Sequence, residues 1–436
     1  MAGDTRFRNQ RCPRGCVRPY RTGERRHDRW SLDRFPGNTV SNFNHELNLR
    51  LDALRTQGLH RELRRVDSPQ GTRIQMGDRT FLNFSSNDYL GLANDPSLKE
   101  AAVRAVKKFG AGSGASRLIC GSLAPHHELE KALASFKNTE AALAFSSGYA
   151  TAIGTICALL GKNDVIILDK LVHASVVDAA RLCGAKLRVF AHNDLNDLED
   201  VLKWANKNSK SQILIVTESI FSMDGDAAPL CEIATLKEKY GAWLMVDEAH
   251  ATGLYGKNRR GLAEELDISN RIEIQMGTLG KALGASGGFI CGSRTLTNFL
   301  VNRARSFIFS TAPVPAAAAA ATAGVRLVQS GEGEKRREML WTRAREFQSQ
   351  IGNTASRARS RKAKIPSAII PIMVDDEKKA VEVAAALRER GIFVPAIRYP
   401  TVAHGKARLR VTLTAAHTAK DVSRLANDLK TLNLKL

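Results

Sequence analysis

Lys281 is the one charged residue in the run Met276-Gly-Thr-Leu-Gly-Lys281-Ala-Leu-Gly-Ala-Ser-Gly-Gly288, which directly follows the apolar segment Ile272–Gln275. Five glycines in these thirteen residues strip away side-chain bulk, so a flat or phosphorylated ligand can approach the backbone. An amine among small apolar residues is poorly hydrated. Its ammonium form is then disfavoured, and the free base is a nucleophile for a carbonyl. A second segment, Ala242-Trp-Leu-Met-Val-Asp247-Glu-Ala-His250, reads as a buried strand that ends on a carboxylate, with an imidazole three residues later. In a third, Asp169-Lys-Leu-Val-His173-Ala-Ser175, another imidazole follows the apolar strand Val165–Leu168. An amine, a carboxylate and two imidazoles at the ends of apolar segments suit carbonyl chemistry on a flat cofactor. A carboxylate facing the ring nitrogen of such a cofactor stabilises the protonated form that acts as an electron sink.

Further segments surround this set. Phe145-Ser-Ser-Gly148-Tyr149-Ala opens a helix after an apolar strand, and the free N–H groups of a helix start bind phosphate readily. The glycine-rich loop Phe109–Arg117 has no Walker-type lysine context and is weak evidence of phosphate binding by itself. Together with Phe81-Leu-Asn-Phe-Ser-Ser-Asn87-Asp-Tyr-Leu-Gly91, Arg303-Ala-Arg-Ser-Phe-Ile-Phe-Ser310-Thr311-Ala-Pro and Pro395-Ala-Ile-Arg398-Tyr-Pro-Thr401, these segments resemble the α-oxoamine synthase family of pyridoxal-phosphate enzymes. The resemblance runs from about Leu51 to the C-terminus.

The resemblance implies an α/β fold, the type I fold of pyridoxal-phosphate transferases. It has a large, mostly parallel sheet domain and a small C-terminal α+β domain. It also implies that Lys281 holds pyridoxal 5'-phosphate covalently, that His173 stacks on the ring and that Asp247 faces the ring nitrogen. Ser222 and His250 would bond near the phenolic oxygen. Gly148, Tyr149, Thr278, Ser310 and the partner subunit's Thr311 would hold the phosphate in a homodimer with shared sites. Arg398 would present a bidentate fork to the amino-acid carboxylate, with Arg61, Asn87 and Thr401 on the substrate side; Arg61 reads equally as a surface arginine. The activity implied is decarboxylative condensation of an amino acid with an acyl thioester. Lys281-Ala-Leu-Gly-Ala-Ser-Gly-Gly, Phe309-Ser-Thr-Ala-Pro and Ala396-Ile-Arg398 match the branch that makes 8-amino-7-oxononanoate from L-alanine and a pimeloyl thioester of coenzyme A or acyl-carrier protein. Ile119-Cys120-Gly121 instead matches the branch that joins glycine to acetyl-CoA.

The elements that must position these residues are legible as short apolar runs: Val165–Leu168, Leu187–Phe190, Ile213–Glu218, Trp243–Val246, Ile272–Gln275 and Gly288–Cys291. Strands of this kind separated by helical segments predict a mostly parallel sheet covered on both faces, with ligands at the carboxyl ends of its strands. Asp169, Ser219 to Ser222, Asp247 and Thr278 all fall just past such ends. Leu47, Leu51, Leu54 and Leu59 predict an amphipathic helix over 44–63. Beyond about Gly331, strand-like Ala368–Val374, a helix over Lys378–Arg390, then Ile392–Ile397 and Arg408–Thr414 predict the small domain. The expected divisions are a disordered basic extension over 1–44, a helix and arm over 45–90, a large domain over 91–330 and a small domain over 331–436.

A chain of 436 residues with 43% hydrophobic content supports a sizeable core. Its net charge of +21 draws on ten arginines against four acids in residues 1–34. Positive charge suits anionic thioester carriers as well as nucleic acid, and no zinc-finger, RNP or helix-turn-helix pattern favours the latter. Seven scattered cysteines (12, 16, 120, 157, 183, 231 and 291) form no metal-ligand pattern and predict a reducing compartment. The charge-free stretch Ala141–Gly161 is interrupted by Ser146-Ser147-Gly148-Tyr149, and no apolar N-terminal segment precedes it. The expectation is a cytoplasmic enzyme that engages neither nucleic acid nor membrane.

Overall fold

The apolar runs become a seven-stranded sheet in the computed structural model, which describes residues 39–208, 211–352 and 365–432. The chain forms α1 (Thr39–Thr56), β1 (Arg73–Met76), β2 (Arg79–Asn83), α2 (Pro96–Phe109), α3 (Ala124–Lys137), β3 (Ala141–Phe145), α4 (Gly148–Leu159), β4 (Val165–Asp169) and α5 (Ala174–Leu182). It continues through β5 (Lys186–Phe190), α6 (Leu195–Asn208), β6 (Ile213–Glu218), α7 (Leu230–Lys239), β7 (Trp243–Asp247), α8 (Leu262–Glu265), β8 (Ile274–Thr278), β9 (Gly288–Gly292), α9 (Arg294–Arg303), α10 (Arg305–Ile308) and α11 (Pro315–Gln329). The last elements are α12 (Gly331–Ile351), β10 (Ile369–Asp375), α13 (Glu377–Glu389), β11 (Ile392–Phe393), β12 (Ala396–Ile397), β13 (Ala407–Thr412) and α14 (Ala419–Thr431).

The sheet order is β3-β9-β8-β7-β6-β4-β5. β5, β4, β6, β7 and β8 run parallel, and β9 is antiparallel to both β8 and β3. Every residue of β4 and β6 is buried, as expected for strands covered on both faces. Strand alternation sends Val165, Ile167, Ile213, Ile215, Leu244 and Val246 into one core. Ile166, Leu168, Leu214, Val216 and Met245 go into another. The strand read at Ile272–Gln275 lies further on: Ser269–Arg271 is a 3-10 turn, and β8 runs from Ile274 to Thr278. Thr278 is therefore part of the strand, and Lys281 stands on the loop of the β8–β9 hairpin.

Two small sheets complete the chain, β1-β2-β11 and β10-β13-β12. The run Ile392–Ile397, read as one strand, is split. β11 joins β2 in parallel and β12 joins β13 antiparallel. Pro395 stands between the two pieces and has no N–H for a ladder.

The chain divides into two units at His60/Arg61. In the first, α1 begins at Thr39, inside the stretch expected to be disordered, and ends at Thr56 rather than continuing to 63. Gly58, at φ 67°, closes it: Leu59 N–H donates to Leu54 O at 2.8 Å and Gly58 N–H to Arg55 O at 3.0 Å. The expected basic extension otherwise lies outside the described residues. The charge-free stretch Ala141–Gly161 is β3 followed by α4, and among the described residues no helix is long and apolar enough to cross a membrane.

Candidate active site

Lys281 is half-buried in the turn that links β8 to β9. The turn is fixed by Leu279 N–H on Gly287 O at 2.9 Å, Ala285 N–H on Leu279 O at 2.8 Å and Gly284 N–H on Lys281 O at 3.0 Å. Gly284 is required there: its φ is 67°, and a Cβ would stand 2.5 Å from Cβ of Leu92. The Lys281 Nζ lies 2.8 Å from Nε2 of His250, whose Nδ1 is 2.5 Å from the Tyr89 hydroxyl. Removal from water pushes the Lys281 amine down to about 8, against the attraction of Asp247 and Glu218. Burial, together with the charges of Lys281 and Arg410, holds His250 well below its ordinary range, so the ring is neutral.

Asp247 ends β7 and Glu218 ends β6, paired across the two strands. Both are buried. Burial raises both carboxyls, that of Glu218 to about 8 with Asp247 adding to the effect. Asp247 accepts from Ala249 N–H at 2.9 Å, and Glu218 accepts from Ser222 N–H at 3.2 Å. His173 caps α5: its Nδ1 accepts from Ser175 N–H at 3.2 Å and lies 2.8 Å from the Ser175 hydroxyl. The His173 side chain is anchored along one edge and remains exposed, as a stacking surface must be.

On the other side of this cluster, α4 starts at Gly148 after the N-cap Ser147. A Cβ on Gly148 would lie 2.7 Å from Cγ2 of Thr278, and one on Gly288 would lie 2.8 Å from the Gly148 N. The helix start is therefore pressed against the ends of β8 and β9. The buried Thr278 hydroxyl there has no hydrogen-bond partner. Tyr149 stands one residue into α4. It is exposed, and its hydroxyl donates to Asp178 at 2.6 Å. Thr311 forms an isolated antiparallel bridge with Ser116, and Ala312 N–H donates to Ala115 O at 3.0 Å. This ties Ser310 and Thr311 to the glycine-rich loop. Arg61, Arg398 and Thr401 come together, with Arg61 donating to the Thr401 hydroxyl at 3.5 Å and its charge facing Arg398. Asn87 joins the Lys281 cluster: its Oδ1 accepts from Arg410 at 3.1 Å and stands 3.4 Å from the Tyr89 hydroxyl.

Three members of the cluster were not anticipated. Tyr89 lies in a segment already singled out but reads as core. Glu218 ends an otherwise apolar strand, which was its visible signal. Arg410 shares one face of β13 with Arg408, by period-two alternation, and its Nε donates to Ser222 O at 2.6 Å.

The family model described as aminotransferase class I and II matches residues 79–429. The chain belongs to this family. Within the class I and II aminotransferases, it is 45% identical over 386 residues to the 8-amino-7-oxononanoate synthase of Geotalea daltonii, covering 88% of this chain and 97% of that one. It is 47% identical over 372 residues to the enzyme of the same name from Anaeromyxobacter dehalogenans, covering 85% and 91%. Among solved structures, the Sphingomonas wittichii serine palmitoyltransferase superposes with a TM-score of 0.82 at 30% identity, covering 91% of this chain and 98% of that one. The 8-amino-7-oxononanoate synthase of Francisella tularensis gives 0.68 at 28%, covering 81% and 98%. This member is a pyridoxal-phosphate-dependent acyltransferase of the α-oxoamine synthase type.

The residues present fit that cofactor. A half-buried amine shifted toward its free base, a buried carboxylate at a strand end, an exposed anchored imidazole and a helix start beside an unpartnered hydroxyl are the four contacts it requires.

Proposed function

We propose that this enzyme joins L-alanine to a pimeloyl thioester carried by coenzyme A or an acyl-carrier protein. The products are 8-amino-7-oxononanoate, carbon dioxide and the free thiol. The carrying observation is the Lys281 amine beside a neutral His250, above the paired strand ends of Asp247 and Glu218. Relatives 40–47% identical over most of the chain, named 8-amino-7-oxononanoate synthases, support the choice of reaction.

Pyridoxal 5'-phosphate, when bound, supplies the electron sink for a carbanion at the amino-acid Cα. Lys281 would hold it, Asp247 would face its ring nitrogen, His173 would pack on its face, and Ser222 and His250 would lie near its phenolic oxygen. The α4 start at Gly148 and Thr278 take its phosphate, with Tyr149, Ser310 and the partner subunit's Thr311 completing the cradle in a homodimer. Arg398, with Thr401, Arg61 and Asn87, takes the carboxylate of alanine. Lys281, when its amine is free, would accept the α-proton, a role suited to an amine that burial has lowered to about 8. The Cα–carbonyl bond forms as the C–S bond breaks and the thiol leaves. Loss of carbon dioxide then leaves a carbon that Lys281 reprotonates. The protein is read as cytoplasmic, with a large domain over 91–330 and a small one over 331–436.

The test is the visible spectrum of the purified protein, titrated in parallel with L-alanine and with glycine and then given pimeloyl or acetyl thioester. A yellow protein that responds to alanine and releases thiol only from the pimeloyl donor supports the reading. Preference for glycine and acetyl-CoA would replace it with the reaction to which Ile119-Cys120-Gly121 points. A protein left colourless by added pyridoxal phosphate would overturn both.

A further inference from the structure

Tyr89 lies between β2 and α2, far along the chain from Lys281, and is almost entirely buried. Burial pushes its phenol up to about 12 despite the opposing charge of Arg410, so the hydroxyl keeps its one proton throughout the neutral range. Two acceptors face that proton: Nδ1 of His250 at 2.5 Å and Oδ1 of Asn87 at 3.4 Å. The second is distant and already accepts from Arg410. The proton therefore points at Nδ1. A neutral imidazole that accepts at Nδ1 carries its own hydrogen at Nε2. Nε2–H is then aimed at the Lys281 Nζ, 2.8 Å away, and that bond forms only if the amine has a free lone pair.

We propose that Tyr89 is a positioning residue that fixes the tautomer of His250 and thereby holds Lys281 as its free amine. An ammonium has only the opposite polarity open to it: it donates to Nε2, Nδ1–H donates to the phenol oxygen, and the phenol turns to Asn87. That polarity uses the 3.4 Å contact in place of the 2.5 Å one, and is the poorer arrangement. Protonation of Lys281 therefore reverses two hydrogen bonds and redirects a third, and the Tyr89 hydroxyl sets which direction is favoured. Other groups act on the same amine. Asp247 from β7 and Glu218 from β6 favour the charged form, while Arg410 from β13 disfavours it. Lys281 in turn bears on His173 at the start of α5. Asp247 and Glu218 keep their places when Tyr89 becomes Phe, whereas Arg410 loses its bond to the Tyr89 hydroxyl, a change that the His250→Asn background carries equally. The inference rests on the proposed function only in taking Lys281 as the reacting amine.

The experiment is pyridoxal phosphate uptake by the full chain stripped of cofactor, followed by visible absorbance from pH 6 to 10. The proteins compared are the wild type, Tyr89→Phe, His250→Asn, the double variant of these two and Lys281→Ala. The phenyl ring fills the same space, and a thermal melt checks folding. The expected result is that Tyr89→Phe moves the inflection of the uptake rate up by about one pH unit, roughly a tenfold slower uptake at pH 7, from the loss of one buried hydrogen bond. In the His250→Asn background the same change has no effect. An unmoved inflection in Tyr89→Phe, or an equal shift with and without His250, would overturn the proposal. Uptake by the wild type and its loss in Lys281→Ala show separately that Lys281 is the reacting amine; uptake unchanged in Lys281→Ala would sink the functional reading.

Discussion

Two lysines of this fold lie close to opposite neighbours of one strand end. Lys137, at the end of α3, is sealed from solvent and forms an ion pair with Glu248 while donating to Arg260 O at 2.6 Å. Lys281 is half-buried, and its hydrogen-bond partner is the imidazole of His250, not a carboxylate. The carboxylates involved, Asp247 and Glu248, are adjacent in sequence, yet the first acts on the Lys281 amine by charge alone and the second is consumed by structure. Glu248 also accepts from Ala263 N–H at 2.9 Å, which leaves it no freedom to serve a ligand. An amine given a carboxylate in contact is a structural tie. An amine given a neutral ring and a carboxylate at longer range keeps access to its free base.

The comparison is broken most directly at Lys281. Lys281→Ala should abolish turnover while leaving the thermal midpoint within a few degrees of the wild type, because no ion pair is lost. Measurable turnover in that variant would remove Lys281 from the mechanism. Lys137→Met should do the reverse. It leaves Glu248 buried without its cation, a loss of about 3–5 kcal/mol in unfolding free energy, read from the urea midpoint. Turnover per folded molecule should stay close to the wild type. An unchanged midpoint would mean that the ion pair contributes nothing and that the two lysines differ less than their partners suggest.

A third cation sharpens the contrast from the substrate side. Burial disfavours the charge of Arg398, and the nearby Arg61 charge adds to this, so the carboxylate of the proposed amino-acid substrate would be welcomed by both. Arg398→Ala should raise the KM for the amino acid roughly 10–100-fold, the equivalent of about 1.5–3 kcal/mol for a charged hydrogen bond, with a smaller effect on kcat. A loss confined to kcat would place Arg398 elsewhere in the reaction.

How much of this was legible in the sequence follows from which interactions are local. Lys281, Asp247, His250 and His173 stand at the ends of apolar runs, and strand-end position is visible as soon as the runs are. The seven-stranded sheet is legible for the same reason, apart from the two-residue displacement of β8 caused by the 3-10 turn at Ser269–Arg271. Tyr89, Glu218 and Arg410 escaped because their roles depend on pairing between distant segments. Tyr89 reads as one more aromatic core residue until His250 is brought against it. Arg410 reads as a strand residue until Ser222 O and Asn87 are placed beside it. The break at Pro395 was readable in principle, since a residue without N–H interrupts a ladder, but the destinations of the two halves were not.

His192 carries the comparison to a cation that is tied on both sides. Its Nδ1 lies 3.0 Å from Asp169 and its Nε2 lies 2.8 Å from Asp226, and Phe221 packs edge-on against the ring. Asp169 ends the strand before His173, and Asp226 closes the loop that carries Ser222, so the imidazole clamps together two segments of the site. Burial, the largest single influence, works against its charge, but the two carboxylates outweigh it and lift the ring from 6.5 to about 10. A raised value makes the contribution to stability full below the unfolded value near 6.5 and lost as the pH rises through about 10. His192→Gln keeps a polar side chain but cannot be charged. Its deficit in unfolding free energy should be about 2 kcal/mol at pH 6 and should shrink as the pH rises through about 10, where the wild-type ring loses its proton. Urea melts of both proteins across that range give the answer. A deficit that stays constant with pH would mean that His192 holds the two loops by shape and neutral hydrogen bonds alone. The clamp would then differ from the tie at Lys137 in kind as well as in strength.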